Sequence, residues 1–308
     1  MQLRPLAAPR AGVEAGRAQE VAATTRDTQA IQAVQALQAT QAARAKLPAP
    51  VPRAASTAAQ ASVQAADRAD ASPATAAPSP APADDPGMPR VPVYATRLPP
   101  PMTLHYALRR VRASGQAELR WHTEGALYEL AWRSALAGVP SSATTSVGRL
   151  DAHGLAPERQ SESRRGRELR AVNFQRDSER ISFSGAQREY ALPAGAQDRL
   201  SWMLQIAAVL AADPALAQAG AQVRLFVAGP RGDAGVWIFE VTGRETLDLP
   251  GGAVADAVHL QRQPDRPYDT RVDLWLDPAR HHLPVRARLQ APPAAEGSEF
   301  VLESISAP

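Results

Sequence analysis

Residues 117–133 read Ala117-Glu118-Leu119-Arg120-Trp121-His122-Thr123-Glu124-Gly125-Ala126-Leu127-Tyr128-Glu129-Leu130-Ala131-Trp132-Arg133. Ala117, Leu119 and Trp121 alternate with Glu118, Arg120 and His122. Beyond Glu124-Gly125, Tyr128, Leu130 and Trp132 alternate with Glu129, Ala131 and Arg133. Successive strand side chains point to opposite faces, so a period of two places the large apolar groups on one face and the charges on the other. Two such runs around a Gly-containing turn predict a β-hairpin with one buried face.

The same period recurs on both sides of this hairpin. Leu104 to Val111 reads as a strand before it. Thr144–Leu150, Leu169–Phe174 and Ile181–Ser184 follow, the last two joined by the polar turn Arg176-Asp177-Ser178-Glu179. Further strands are expected at Val223–Val227, Val236–Val241, Val254–Leu260, Val272–Leu276, Val285–Leu289 and Phe300–Ile305. The period changes once. Leu200, Met203, Leu204, Ile206, Ala207 and Leu210 keep the helical spacing, and Trp202 and Val209 widen the apolar face. Asp198 is the expected N-cap, because its carboxylate can accept the orphan N–H groups of a first turn. Asp213-Pro214 is the expected stop. The predicted fold is mainly β: one strongly curved antiparallel sheet or open barrel, with one long apolar helix packed on it, over residues 102–308.

Composition separates this domain from residues 1–101. Aromatics are 5% of the chain, and Tyr94 is the only one before residue 100. Residues 14–46 are Ala/Gln-rich, and Ile31, Val34 and Leu37 draw a thin apolar stripe. That pattern suits a marginal helix that frays in isolation, or a weak coiled-coil or docking helix. Residues 47–101 carry Pro48-Ala49-Pro50-Val51-Pro52, Pro78-Ser79-Pro80-Ala81-Pro82 and Pro99-Pro100-Pro101. Such a linker favours extended polyproline II and reaches at most ~170 Å at ~3.1 Å per residue. Residues 1–101 are therefore expected to be a disordered arm and linker.

Charge and composition exclude several functions. The net charge of +3 is dilute over 308 residues, unlike the concentrated basic footprint of a nucleic-acid binder. Arg159 to Arg170 holds five arginines among Glu158, Glu162 and Glu168, which reads as a solvated mixed-charge strand and turn. Cys is absent, which removes disulfides, zinc thiolates and thiol nucleophiles but is compatible with either cytoplasm or periplasm. No G-x-S-x-G elbow, P-loop or G-x-G-x-x-G occurs. Ser201 suits a hydrogen bond in the helix's first turn. The adjacent His281 and His282 would face opposite sides of a strand. Asp273 and Asp277 lie roughly 13 Å apart at strand rise, too far for a glycosidase pair at ~5–9.5 Å. Arg231-Gly232-Asp233 reads as a plain turn. No catalytic, metal or cofactor site is expected. The alternative to plain core packing for Trp121, Tyr128, Trp132, Trp202 and Trp237 is an apolar pocket for a ligand.

Ala194-Gly195-Ala196-Gln197-Asp198-Arg199-Leu200-Ser201 before an apolar helix resembles the domain of unknown function 3108 family. Gly154-Leu155-Ala156-Pro157 after Val147-Gly148, and Leu283-Pro284-Val285-Arg286, extend the resemblance over roughly residues 102–306. It implies a bacterial envelope protein with no established activity and no catalytic residues to carry over. By fold analogy it implies a shape like the half-barrels of periplasmic lipoprotein carriers. The expected location is the periplasm, free or tethered to the inner membrane. No run reaches the ~18 apolar residues of a membrane helix, and Met1–Arg10 holds no signal-peptide core. A spacer needs something at its front, so the expectation is that Met1 is not the natural start or that an upstream anchor is missing, and membrane association is expected only through such an anchor. The leading expectation is a non-catalytic binding or scaffold module for a lipid or other amphipathic ligand. The alternatives are an envelope-assembly protein whose arm reaches a protein partner, and a hydrolase of envelope polymers.

Overall fold

The computed structural model describes residues 91–110, 113–264, 269–290 and 297–308. The arm up to residue 90, including the marginal helix over 14–46, lies outside the described residues. The chain forms β1 (Met102–Arg110), β2 (Ala113–Glu124), β3 (Leu127–Leu136), β4 (Val139–Asp151), β5 (Gly154–Arg164), β6 (Arg167–Gln175), β7 (Arg180–Phe183), β8 (Tyr190–Ala191) and β9 (Gln197–Asp198). The helix α1 (Ser201–Ala212) follows, then β10 (Gln222–Gly229), β11 (Asp233–Leu247), β12 (Val254–Arg262), β13 (Arg271–Asp277), β14 (Leu283–Gln290) and β15 (Ser298–Ser306).

All fifteen strands belong to one sheet, ordered β8-β7-β6-β5-β4-β3-β2-β1-β15-β14-β13-β12-β11-β10-β9. Two meanders run outward from its centre, where β1 pairs antiparallel with β15 (Thr103 opposite Ser306). The hairpin that decides the fold is present: Trp121 faces Leu130 across β2 and β3, and Leu119 faces Trp132. Glu124 pairs with Leu127, so the turn centres on Gly125-Ala126. The ladder is not closed. Register shifts at Ser134/Ala135, Val147/Gly148, Glu162/Ser163 and Trp275/Leu276 bend it, because each bulge adds local twist. The two outer ends therefore meet by side chains: Val172, Phe174, Ile181 and Phe183 pack on Phe226 and Ala228. Tyr190 Oη adds a hydrogen bond to the Gly232 carbonyl at 3.4 Å.

Alone among the described strand pairs, β9 and β10 run parallel. A parallel pair needs a crossover, and α1 supplies it. The helix is shorter than the long one expected. It runs for 12 residues and ends where Asp213 turns extended (ψ 99°) ahead of Pro214. Three turns are marginal as an isolated helix, so burial must hold them. Nine of the 12 residues are buried. Leu200 and Leu204 join the core under β1–β3, while Trp202, Ile206, Val209 and Leu210 join the core under β10–β13. Ala207 and Ala208 are fully buried, small enough to let the backbone approach the sheet.

Residues 91–101 have no regular secondary structure, yet they lie along this seam. Tyr94 packs on the core beneath β10 and its hydroxyl accepts from the Arg224 N–H at 2.9 Å. The Arg97 N–H donates to the Ala208 carbonyl at 2.9 Å, and Pro99 accepts from Trp121 Nε1 at 3.0 Å. Among the described residues no helix is long and apolar enough to cross a membrane.

Candidate functional site

The Gln197-Asp198-Arg199-Leu200-Ser201 stretch folds into a buried polar joint between α1 and the sheet. Asp198 is fully buried. Its Oδ1 accepts from the N–H groups of Leu200 (2.7 Å) and Ser201 (2.8 Å). Its own N–H donates to Ser201 Oγ at 2.9 Å. Ser146 Oγ on β4 donates to Asp198 Oδ2, and the Tyr128 hydroxyl on β3 lies 3.0 Å from that serine. The serine's single proton goes to the carboxylate, so the phenol donates to the serine. Burial pushes the Asp198 carboxyl above its ordinary pKa, against hydrogen bonds from Ser146, Ser201 and Leu200. Burial pushes the Tyr128 phenol well above its ordinary value, and the Asp198 charge adds to this.

Two glutamines extend the joint to β5. Gln205 Oε1 accepts from the Leu155 N–H at 2.9 Å, and its Nε2 donates to the His153 carbonyl at 2.6 Å. Gln197 Nε2 donates to the Leu155 carbonyl at 2.8 Å. These side chains replace a strand neighbour where the ladder is open. Gly154 makes room for them: it has φ +98°, and a Cβ there would sit 2.5 Å from Gln205 Oε1 and 3.0 Å from Thr96. Gly154→Ala is expected to destabilise the fold by about 2 kcal/mol through backbone strain and overpacking, read as a lower urea midpoint with an unchanged slope. An unchanged midpoint would refute this account of the joint.

The five aromatics fall in two groups. Trp121, Tyr128 and Trp132 belong to the β1–β3 side, and Trp202 and Trp237 to the β10–β13 side. Trp121 and Tyr128 lie 5.8 Å apart between ring centroids, and Trp202 and Trp237 lie 5.7 Å apart. Trp202 stacks on Phe239 at 5.1 Å. Trp237 carries two guanidinium groups, those of Arg199 (4.2 Å) and Arg262 (4.1 Å). Both are paired, Arg199 with Asp233 and Arg262 with Asp269. Four of the five are sealed, at 1% exposure for Trp121 and Trp202, 2% for Tyr128 and 4% for Trp237. Trp132 is the exception. It is partly exposed, edge-on to Phe300 at 4.8 Å and 5.8 Å from Tyr106. Met203 of α1 and Phe300 are partly buried and touch both groups. Leu136 packs on the first of these cores and Leu289 on the second, and both are partly buried.

The carboxylates weighed for catalysis have structural partners. Asp273 accepts from Gln261 Nε2 at 2.9 Å and approaches His259 Nε2 at 3.4 Å. Asp277 accepts from the Ala279 N–H at 2.9 Å and pairs with Arg280 at 3.0 Å. His281 and His282 both take left-handed backbone (φ 54°) in the turn before β14. Among the described residues no three His, Asp or Glu side chains gather as they would around a metal ion.

Sequence reading missed Ser146, Gln197 and Gln205. Ser146 lies in Thr144-Thr145-Ser146, where no apolar alternation marks the inward face. A polar residue in phase with inward neighbours was the available signal.

The family model for a protein of unknown function, DUF3108, matches residues 102–296. No curated protein matches the sequence. The chain is similar to the crystal structure of a β-barrel-like protein of domain of unknown function DUF1849 from Brucella abortus (13% identity, 70% of this chain and 100% of that one, TM-score 0.47). It is similar at 14% identity to the Pseudomonas aeruginosa MucA/MucB complex structure, over 68% of this chain and 53% of that one, with a TM-score of 0.30. An exported protein with a YmcC-like fold from Bacteroides fragilis matches at 12% identity, over 70% and 98% of the two chains, with a TM-score of 0.30.

Proposed function

We propose a function for a chain that belongs to the DUF3108 family: a non-catalytic cell-envelope module that holds a lipid or other amphipathic ligand at the mouth of its curved sheet. One observation carries this reading. Four of the five candidate aromatics are sealed into the core, while Trp132 stays partly exposed, edge-on to Phe300, and packs on the same core as the partly buried Met203 and Leu136. Concave, mostly apolar surfaces with few polar groups are the usual ligand sites. The deep interior is not available, because α1 and its neighbours fill it. The Tyr128–Ser146–Asp198 chain is a structural joint in this reading, since its members are buried beyond reach of a substrate. Periplasmic placement rests on the envelope character of the family. The alternative, an arm that reaches an envelope protein partner, rests on residues outside those described.

The test is native mass spectrometry of the purified full chain, followed by titration with a fluorescent fatty acid. Bound lipid or saturable titration is expected, weakened about tenfold or more by Trp132→Ala, since fully burying one large side chain is worth ~1.5–3 kcal/mol. A chain that carries no lipid and does not titrate would remove the proposal.

A further inference from the structure

The hairpin joining β5 to β6 carries charges that the fold sorts in a way composition does not show. The three acidic residues of this stretch are all paired along the strands: Glu158 with Arg149 (2.7 Å), Glu162 with Arg170 (3.3 Å) and Glu168 with Arg159 (2.6 Å). The tip is left with Arg164, Arg165 and Arg167. All three are exposed, and none has an ion-pair partner among the described residues.

Two features of the tip work against the fold. Arg164 stands directly opposite Arg167 in the ladder, and like charges in that position repel. Arg165 occupies a left-handed turn position (φ 51°) before Gly166 (φ 77°), where Asn or Asp would be the favoured residue. Neither choice serves the stability of the hairpin, and the repulsion between the guanidinium groups is relieved by an anion at the tip.

Exposed apolar groups lie close by. Leu169, 55% exposed, sits at the register shift just behind the tip, and Val139, 64% exposed, stands on the neighbouring β3–β4 hairpin. Alternate turns of a meander return to the same end, so the end of β1 at Arg110 and the β3–β4 and β5–β6 turns share one rim of the sheet. Exposed Arg109 and Arg110 close β1 at that rim. The rim from β1 to β6 spans about 24 Å at ~4.8 Å per strand.

We propose that this rim docks on an anionic phospholipid surface, with Arg164, Arg165 and Arg167 meeting headgroup phosphates and Leu169 and Val139 entering the apolar boundary. Charge complementarity selects the occupant: unpaired guanidinium groups flanked by exposed aliphatic side chains match a layer that is anionic outside and apolar beneath. The proposal is independent of the ligand at the Trp132 mouth and stands if that site is empty.

The test is sedimentation of the full chain with vesicles of phosphatidylcholine alone and of phosphatidylcholine with phosphatidylglycerol. Binding is expected only with phosphatidylglycerol, and it should weaken with added salt. The triple substitution R164Q/R165Q/R167Q should weaken it roughly 100-fold, at about fivefold per arginine near an anionic surface. Leu169→Ser should weaken it several-fold. All four substitutions are on exposed side chains, and unchanged thermal melting will show that the fold persists. Equal binding to both vesicles, or full binding by the triple variant, overturns the proposal. So does binding of the parent chain to heparin but to neither vesicle, which would make the tip a site for soluble polyanions.

Discussion

Asp198→Ala is expected to lower the melting temperature by about 10 °C. The substitution leaves the Leu200 and Ser201 N–H groups and the Ser146 hydroxyl without their acceptor, in a place water does not reach. Each stranded donor costs about 1–3 kcal/mol, and removal of the buried carboxylate offsets part of that. A net loss of about 3–5 kcal/mol corresponds to roughly 10 °C for a domain of about 200 residues. Asp198→Asn should cost much less, because its amide oxygen still accepts from the two N–H groups. Its NH2 can donate to Ser146, which then donates to Tyr128. The two variants also separate the charge from the hydrogen bonds. The folded-state pKa of Asp198 is raised above its ordinary 3.8 by burial, so the folded chain holds that proton more tightly than the unfolded one. The stability from this linkage is full below the ordinary pKa and is lost as pH rises through the folded value. Asp198→Asn should flatten that part of the stability–pH curve, measured by urea unfolding from acid to neutral pH. A melting temperature for Asp198→Ala within about 2 °C of the parent, where one kcal/mol is worth ~2–4 °C, would mean the joint does not hold the helix.

Trp202→Ala should be comparably damaging, by a different route. Trp202 is 1% exposed, stacked on Phe239 and tilted against Trp237, and its Nε1 donates to the Arg199 carbonyl at 3.2 Å. Truncating a buried tryptophan removes its transfer energy and leaves a cavity, at a cost of about 3–5 kcal/mol. The loss falls on a helix too short to persist alone, so the damage should concentrate there. Hydrogen exchange should show α1 losing protection before β1–β5. Uniform loss across the sheet would contradict the account of α1 as a helix held in place by its own buried contacts.

The regular part of this fold was legible because alternation survives wherever one strand face is buried and the other wet. Strand β2 shows this, with Ala117, Leu119 and Trp121 buried between the half-exposed Glu118, Arg120 and His122, whereas in β3 and β13 the second face is partly covered too, at Ala131 and Trp275. The pattern failed for β8 and β9, which are two residues long and cannot display a period. It failed for the inner face of β4, where Ser146 serves the joint and no apolar signal exists. The helix was legible as a period of 3.6, but its length was overestimated. Apolar spacing says which face is buried and not how many turns the sheet can house.

Binary pattern and local chemistry by themselves determined a mainly β region after residue 102 and a single apolar helix near residue 200. These are short-range properties, written in the spacing of neighbours along the chain. Only the tertiary structure decided that β1 pairs with β15, that Asp198 meets Ser146 across 52 positions, and that the glutamates of the β5–β6 hairpin are paired while its tip arginines are not. Each of these is a contact between residues distant in the chain or a choice among equivalent partners. Such choices are made by the register and curvature of the sheet, which no local pattern encodes.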